Sequence, residues 1–166
     1  MSLRVTFLGA GDAFSSGGRC MAAYLLESPN ATLLVDCGAT TLMALKRQGL
    51  NADAVDAVVL SHLHGDHFAG LPFLFLEYLY NRPRQRPLLI AGPPGTEERV
   101  RAVYQAMYRE LSLRPMAFEV LYREMQPDQA EEIAGCRVVP FRVPHQEIEI
   151  SLGLRIDVGG RTLLYS

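Results

Sequence analysis

The sequence His62-Leu63-His64-Gly65-Asp66-His67 brings three imidazoles and a carboxylate together within one short segment. The chain has only four histidines, and three of them lie here. Neutral imidazole nitrogens with a carboxylate nearby are ligands that zinc and similar first-row metals prefer. We therefore expect a metal site, and a polar loop with coincidental histidines is the less favoured alternative.

The residues around this segment strengthen the expectation. The apolar, β-rich run from Ala54 to Leu60 predicts a strand that leads directly into the histidines. Side chains two residues apart project to the same side of an extended backbone, so His62 and His64 are expected to point the same way. Gly65 would allow a sharp turn that brings Asp66 and His67 close to His62 and His64. The fourth histidine, His145, lies about eighty residues later, after a strand-like run and a proline.

The composition is that of an ordinary globular domain. The chain has 166 residues, of which 49% are hydrophobic and 20% charged, and its net charge is −2. We expect one domain over residues 1–166, with no general attraction to nucleic acid or to anionic membranes. Three cysteines at wide spacings indicate a reducing, cytoplasmic setting rather than a disulfide framework. The longest apolar stretch, residues 68–80, is too short to span a membrane.

The order of apolar runs predicts a mixed α/β fold. Strands are expected at Leu3–Leu8, Met21–Glu27, Thr32–Val35, Ala54–Leu60, Leu88–Ala91, Phe118–Tyr122, Cys136–Val143, Ile148–Asp157 and Arg161–Tyr165. Helices are expected at Thr40–Gln48, Gly70–Tyr80 and Thr96–Leu111, the last with Thr96 as its N-cap. This order favours a helix-flanked sheet sandwich over a parallel doubly wound sheet. Because the chain stops in a strand pattern, we expect the front part of a longer protein, with an open sheet edge that would favour a homodimer.

Four regions of the sequence carry a family signature. They are Ser61–Pro72, Leu8–Ala13 with Gly17–Arg19, Leu33–Gly38, and Val143–His145 with Ser151–Ile156. Together they resemble the motifs of the metallo-β-lactamase superfamily, and Ala69-Gly70-Leu71-Pro72 indicates its ribonuclease Z-like and cyclic phosphodiesterase branch. The resemblance implies a metallo-β-lactamase-like αββα sandwich whose second half is incomplete in this chain.

The resemblance also implies a role for each candidate site residue. One zinc would be bound by His62, His64 and His145. A second zinc would be bound by Asp66 and His67, and Asp66 would also orient the nucleophile. Asp36 would orient the histidine loop through hydrogen bonds. Relatives continue with an aspartate that bridges both metals and later with a final histidine, and this chain stops before either. The intact family site holds two zinc ions, whereas at most one is expected to bind well here; manganese and iron are alternative metals.

The function implied by the resemblance is that of a zinc-dependent hydrolase, most directly a phosphodiesterase that uses a metal-bound hydroxide. The superfamily also contains tRNA 3′-processing endonucleases, lactonases and thioesterases, so the fold alone does not select the reaction. Bacterial ribonuclease Z enzymes carry a long arm between the third-motif histidine and the bridging aspartate, whereas only about twenty residues follow His145. A small phosphodiester or nucleotide is therefore favoured over RNA. The alternative from another class is a non-catalytic fragment or assembly module that binds at most one metal.

Two weaker patterns have ordinary explanations. Gly9-Ala10-Gly11 after a strand could suggest dinucleotide binding, but the run continues into another strand rather than into the helix that would hold the phosphates. Arg82, Arg84 and Arg86 could contact a nucleic-acid backbone. A solvated loop between Asn81 and Pro87 is the favoured interpretation of these three arginines.

Overall fold

The computed structural model describes residues 3–166 and contains two β-sheets packed face to face. The first sheet has six strands in sequential order: β1 (Arg4–Gly9), β2 (Ala23–Glu27), β3 (Thr32–Val35), β4 (Ala57–Val59), β5 (Leu88–Gly92) and β6 (Val120–Glu124). Strands β1 to β3 are antiparallel, and β3 to β6 are parallel. The second sheet is antiparallel, with the order β10-β9-β8-β7, and consists of β7 (Glu131–Ile133), β8 (Cys136–Val143), β9 (Ser151–Val158) and β10 (Arg161–Tyr165).

In the described part of the chain, five α-helices connect the strands of the first sheet. They are α1 (Thr41–Arg47), α2 (Gly65–Phe68), α3 (Leu71–Leu76), α4 (Thr96–Met107) and α5 (Arg109–Ser112). A π-helical turn at Glu77–Asn81 follows α3, and short 3-10 turns lie at Ser16–Gly18 and Ala52–Ala54. Within residues 3–166, no helix is long and apolar enough to cross a membrane.

The first sheet is buried on both faces, which gives the molecule two cores. Leu34 of β3 and Val58 of β4 pack beneath the helices, whereas their neighbours Leu33 and Val59 pack against the second sheet. Alternate residues of a strand point to opposite faces, so these continuous apolar runs are what a doubly covered sheet requires. The result is a helix–sheet–sheet arrangement, which supplies three layers of the predicted αββα sandwich.

Most strand positions follow the predictions, and the differences are local. The hairpin between β9 and β10 turns at Gly159 and Gly160, which both have positive φ, a conformation that glycine adopts readily. The third predicted helix breaks at Tyr108, and its N-cap is Gly95 rather than Thr96, whose hydroxyl donates instead to a carbonyl of the preceding turn. Gly65 does not make a sharp turn; it begins α2 with ordinary helical backbone.

The structure also corrects the prediction of a solvated arginine loop. Arg84 is fully buried, and its guanidinium donates to the backbone carbonyls of Asp53, Val55, Arg86 and Pro87 over 2.8–3.3 Å. A buried charge is tolerated when its donors are all matched by acceptors, and a guanidinium can match several carbonyls at once. Arg84 therefore ties together the two loops that enter β4 and β5, at the opposite end of the sheet from the histidines.

Candidate metal centre

The histidine segment lies at the carboxyl end of β4, where parallel strands of an α/β sheet place their functional loops. The strand itself is completely buried. Ser61 and His62, which come after it, are also buried, whereas His64 is exposed. The His62 ring is 4.8 Å from that of His64, measured between centroids. The two side chains converge, in agreement with the spacing argument.

His145 arrives from the second sheet. It lies in the loop between β8 and β9, and the backbone nitrogen of Leu152 at the start of β9 donates to the carbonyl of Ser61 over 2.9 Å. This bond brings the loop against the histidine segment. The His145 ring is 4.7 Å from the His62 ring and 5.0 Å from the His64 ring, between centroids.

The geometry of these three imidazoles fits a bound metal ion. Each of His62, His64 and His145 offers one ring nitrogen, and the three nitrogens lie within 4.8 Å of one another. His64 Nδ1 and His145 Nε2 are 3.3 Å apart. Two nitrogens on a tetrahedral zinc, each bound at about 2.0–2.1 Å, would be separated by about 3.3–3.4 Å.

A second observation supports the fit. His62 Nε2 is buried and has no hydrogen-bond partner among residues 3–166. Buried ring nitrogens are nearly always paired, so an unpaired one beside two other imidazoles fits a role as a metal ligand. Burial, and then the nearby His67, lower the pKa of His62 to about 4. The ring is therefore neutral near pH 7, which is the state a metal requires.

Asp66 and His67 form an adjoining pair on α2. The side-chain atoms Asp66 Oδ2 and His67 Nε2 are 3.4 Å apart, and the centroid of the His67 ring lies 4.0 Å from that of His62. Burial alone would lower the pKa of His67, but the hydrogen bond to Asp36 and the charges of both carboxylates raise it overall. The hydrogen bond to Asp36 occupies Nδ1 and leaves Nε2 facing Asp66, where a cation could be bound by both side chains.

Asp36 connects this pair to the histidine loop. Its carboxylate is fully buried at the end of β3 and accepts four hydrogen bonds: from the backbone nitrogen and hydroxyl of Ser61, from His67 Nδ1 and from the hydroxyl of Tyr165. All four donor–acceptor distances lie between 2.6 and 2.8 Å. These bonds place Asp36 behind the histidine loop, and its orienting role stays a prediction.

The loops around Asp36 are packed too closely for larger side chains. A β-carbon on Gly38 would overlap the backbone carbonyl of Asp66, and one on Gly70 would overlap the carbonyl of Gly38. Two backbone bonds join the same loops, from Cys37 to His67 and from Gly70 to Cys37. The glycines of the signature motifs therefore allow the β3 loop and α2 to touch.

Sequence reasoning missed the roles of two residues of the site, Ser61 and Tyr165. Ser61 belongs to a signature motif, but its two bonds to Asp36 depend on a contact between neighbouring parallel strands. Tyr165 carries no local signal, since its partner lies 129 residues earlier. Cys37, beside Asp36, is buried, and burial raises the pKa of its thiol to about 12, which disfavours the thiolate that binds metals.

Solved structures with the same fold identify the class of protein. The metallo-β-lactamase fold protein YhfI from Bacillus subtilis is 25% identical, with a TM-score of 0.75, over 99% of this chain and 62% of that chain. The short form of human tRNase Z is 27% identical, with a TM-score of 0.75, over 96% of this chain and 67% of that one. The chain is thus a metallo-β-lactamase superfamily protein of the ribonuclease Z-like branch.

The family itself follows from the sequence match. The family described as anti-Pycsar protein Apyc1 matches residues 3–166, and the chain belongs to this family. Ribonuclease Z of Agathobacter rectalis is 32% identical over 160 residues, which is 96% of this chain and 50% of that protein. Ribonuclease Z of Halorubrum lacusprofundi is 35% identical over 147 residues, 88% of this chain and 45% of that protein. The chain therefore spans about half the length of the curated relatives it matches.

Proposed function

We propose that the protein is a zinc-dependent hydrolase and that its substrates are phosphodiesters. The observation that carries the proposal is the convergence of His62, His64 and His145 on one point, with the buried Nε2 of His62 unpaired and two other nitrogens spaced as ligands of one ion. Zinc held there would supply a Lewis acid and would activate water near neutral pH. Manganese and iron also accept imidazole ligands, and elemental analysis of the purified protein distinguishes the three metals.

The remaining side chains are proposed to act around that ion. Asp66 lies beside the histidines on α2 and would orient the attacking water through its carboxylate, and with His67 it would provide part of a second metal site. Asp36 would hold His67 and Ser61 in place, since it bonds to both. The hydrogen bond from His67 Nδ1 to a buried carboxylate also favours the tautomer whose Nε2 is free.

A small phosphodiester or nucleotide is the proposed substrate class. Relatives carry the name ribonuclease Z, which supports a phosphodiester bond as the target. After His145, the chain to Ser166 forms only the β9–β10 hairpin and the loop before it, so this interval contains no inserted arm that could grip a tRNA. The alternative activity on a phosphodiester bond is tRNA 3′-processing. If the bond cleaved is not a phosphodiester, the alternative is a lactonase or a thioesterase.

The decisive test compares metal content with turnover. The protein is loaded with zinc, and hydrolysis of bis(p-nitrophenyl) phosphate, a 3′,5′-cyclic nucleotide, a precursor tRNA and a lactone is measured. We expect phosphodiester cleavage that EDTA abolishes and that His64→Ala reduces to background. Unchanged activity in His64→Ala would contradict the proposal.

A non-catalytic, single-metal module is the second candidate. It is favoured by one observation: Asp66 and His67 adjoin the three-histidine group without a further acidic, histidine or cysteine ligand that would complete a second group within residues 3–166. One zinc per chain with no turnover of any of these substrates would establish this candidate. We also propose a homodimer that forms through the open edge of β10, which light scattering tests. We further propose a cytoplasmic location, which is consistent with three free cysteines and which cell fractionation tests.

A further inference from the structure

The third histidine is carried by a segment with few attachments. Residues 144–150 between β8 and β9 form neither helix nor strand. Among residues 3–166, two side-chain hydrogen bonds join this segment to other elements: His145 contacts His64, and Glu149 contacts Arg99. Ile150 at the end of the segment packs against the core between the sheets, and the next strand bonds to Ser61 through Leu152. Within residues 3–166, the Arg99–Glu149 pair is thus the side-chain hydrogen bond of this segment that does not involve the histidines themselves.

Arg99 contacts both halves of the candidate site at once. It lies in the first turns of α4, and its Nη1 forms an ion pair with Glu149. Its Nη2 donates to the backbone carbonyl of Leu63 over 3.3 Å, in the residue between His62 and His64. Its guanidinium also lies over the ring of Phe68 at the end of α2, 5.9 Å from the ring centre.

We infer that Arg99 is a positioning residue that holds the His145 segment against the His62–His64 segment and so raises the affinity of the site for metal. The inference rests on the proposed function only in that the three histidines bind a metal ion. An ion that needs all three ligands binds with an apparent affinity reduced by the fraction of molecules in which the third ligand is in place. The bonds of Arg99 to Glu149 and Leu63 increase that fraction before the metal arrives.

The effect should be moderate because the pair is partly exposed. The side chain of Arg99 is 45% exposed and that of Glu149 is 32% exposed. Exposed ion pairs contribute little, whereas residues that orient metal ligands typically change affinity by about 10–100-fold, so we expect about a three- to tenfold loss. A lysine cannot replace Arg99, because two separate nitrogens of one planar group reach the two partners.

The experiment compares zinc affinities of single variants of the 166-residue chain by competition with a chromogenic chelator. The variants are Arg99→Gln and Glu149→Gln. The matched control is Arg101→Gln on the same helix, since Arg101 pairs with Glu97 of its own helix over 2.8 Å and does not contact the histidine segments. Arg99→Gln and Glu149→Gln should each weaken zinc binding about three- to tenfold, and Arg101→Gln should leave it unchanged.

Two further measurements separate positioning from a general loss of structure. In the metal-free protein, Arg99→Gln should speed hydrogen exchange in residues 144–150 and leave exchange in β3 and β4 unaltered. The exchanged pair Arg99→Glu with Glu149→Arg should bind zinc more tightly than Arg99→Glu alone, because the ion pair is restored in reverse. With Co²⁺ in place of zinc, the ligand-field bands of Arg99→Gln at saturation should match those of the parent, since the ligands are the same.

The outcomes are distinguishable from failure of the proposed function. If the parent chain does not bind zinc, the proposed metal centre is wrong. If the parent binds zinc and Arg99→Gln binds it equally tightly, or the exchanged pair is no better than Arg99→Glu alone, the positioning role of Arg99 is wrong while the metal centre stands.

Discussion

The hydroxyl of Tyr165 donates a hydrogen bond to Oδ2 of Asp36 across 2.6 Å, joining β10 of the second sheet to the loop behind the candidate metal centre. Asp36 is fully buried, so each of its donors offsets part of the cost of keeping a carboxylate out of water. Burial, and then the charge of Asp36, raise the pKa of Tyr165 well above its ordinary value, which keeps the phenol protonated as a donor.

We predict that Tyr165→Phe lowers the free energy of unfolding by about 1–3 kcal/mol, the range for removing one hydrogen bond to a buried charged group. Urea denaturation monitored by circular dichroism measures the change. Tyr24→Phe is the matched control, since its ring packs 5.1 Å from that of Tyr165 and its hydroxyl has no hydrogen bond within the described part of the chain. Equal stability of the two variants would mean that the Tyr165–Asp36 bond contributes nothing.

The ligand assignment predicts different metal contents for two variants. His145→Ala should weaken zinc binding by more than about a hundredfold, because a three-ligand site loses one ligand outright. Asp66→Asn should keep one tightly bound zinc per chain, since Asp66 lies outside the three-histidine group. Elemental analysis after dialysis against a weak chelator provides the counts. Loss of zinc from Asp66→Asn together with retention in His145→Ala would reverse the assignment.

Arg84 provides a stability prediction far from the centre. Arg84→Lys should destabilise the fold by about 3–5 kcal/mol, because one ammonium group cannot reach the carbonyls that the buried guanidinium satisfies. Arg82→Lys, on an exposed position of the same loop, should change stability by less than about 0.5 kcal/mol. Thermal and urea unfolding measure both values, and comparable effects of the two substitutions would contradict the structural role of Arg84.

Glu77 provides a prediction about acid. Burial alone would raise the pKa of Glu77, but hydrogen bonds from Lys46 and Asn81 lower it overall from its ordinary value of 4.5. The Lys46 nitrogen lies 2.6 Å from the Glu77 carboxylate, and 5% of the Glu77 side chain is exposed. A carboxyl whose pKa is lower in the folded state contributes stability above its unfolded pKa and loses that contribution as the pH falls through the folded pKa.

Glu77→Gln should therefore be less stable than the parent at pH 7, by about 1–3 kcal/mol, and the difference should shrink steadily below about pH 4.5. Urea unfolding between pH 3 and pH 7 gives the difference directly. The control is Glu119→Gln, at an exposed position outside the helices, which should change stability at pH 7 by less than about 0.5 kcal/mol. A gap between parent and Glu77→Gln that stays constant over this range would refute the linkage.

Local patterns in the sequence were sufficient for much of the fold and for the centre of the site. Thr32–Val35 is a strand as predicted because both its faces are buried, and the spacing of His62 and His64 places them together without long-range information. β7 escaped prediction because Glu131–Ile133 has only three residues, two of them glutamates, and gains its order from pairing with β8.

What could not be predicted depends on residues distant in sequence. Arg84 is buried because carbonyls about thirty residues earlier turn toward it, and no local pattern separates it from the exposed Arg82. The pairing of Arg99 with Glu149 likewise spans 50 residues. Such contacts are set by how the layers pack, which a linear pattern does not encode.

The arrival of His145 from the second sheet has a thermodynamic consequence. A metal bound by all three histidines would cross-link the two halves of the sandwich, so its binding free energy would add to the free energy of folding. Zinc at a hundred times its dissociation constant would raise the unfolding free energy by about 2.7 kcal/mol. Removal of zinc would then lower the stability of the fold, because the packing between the two sheets would lose this cross-link.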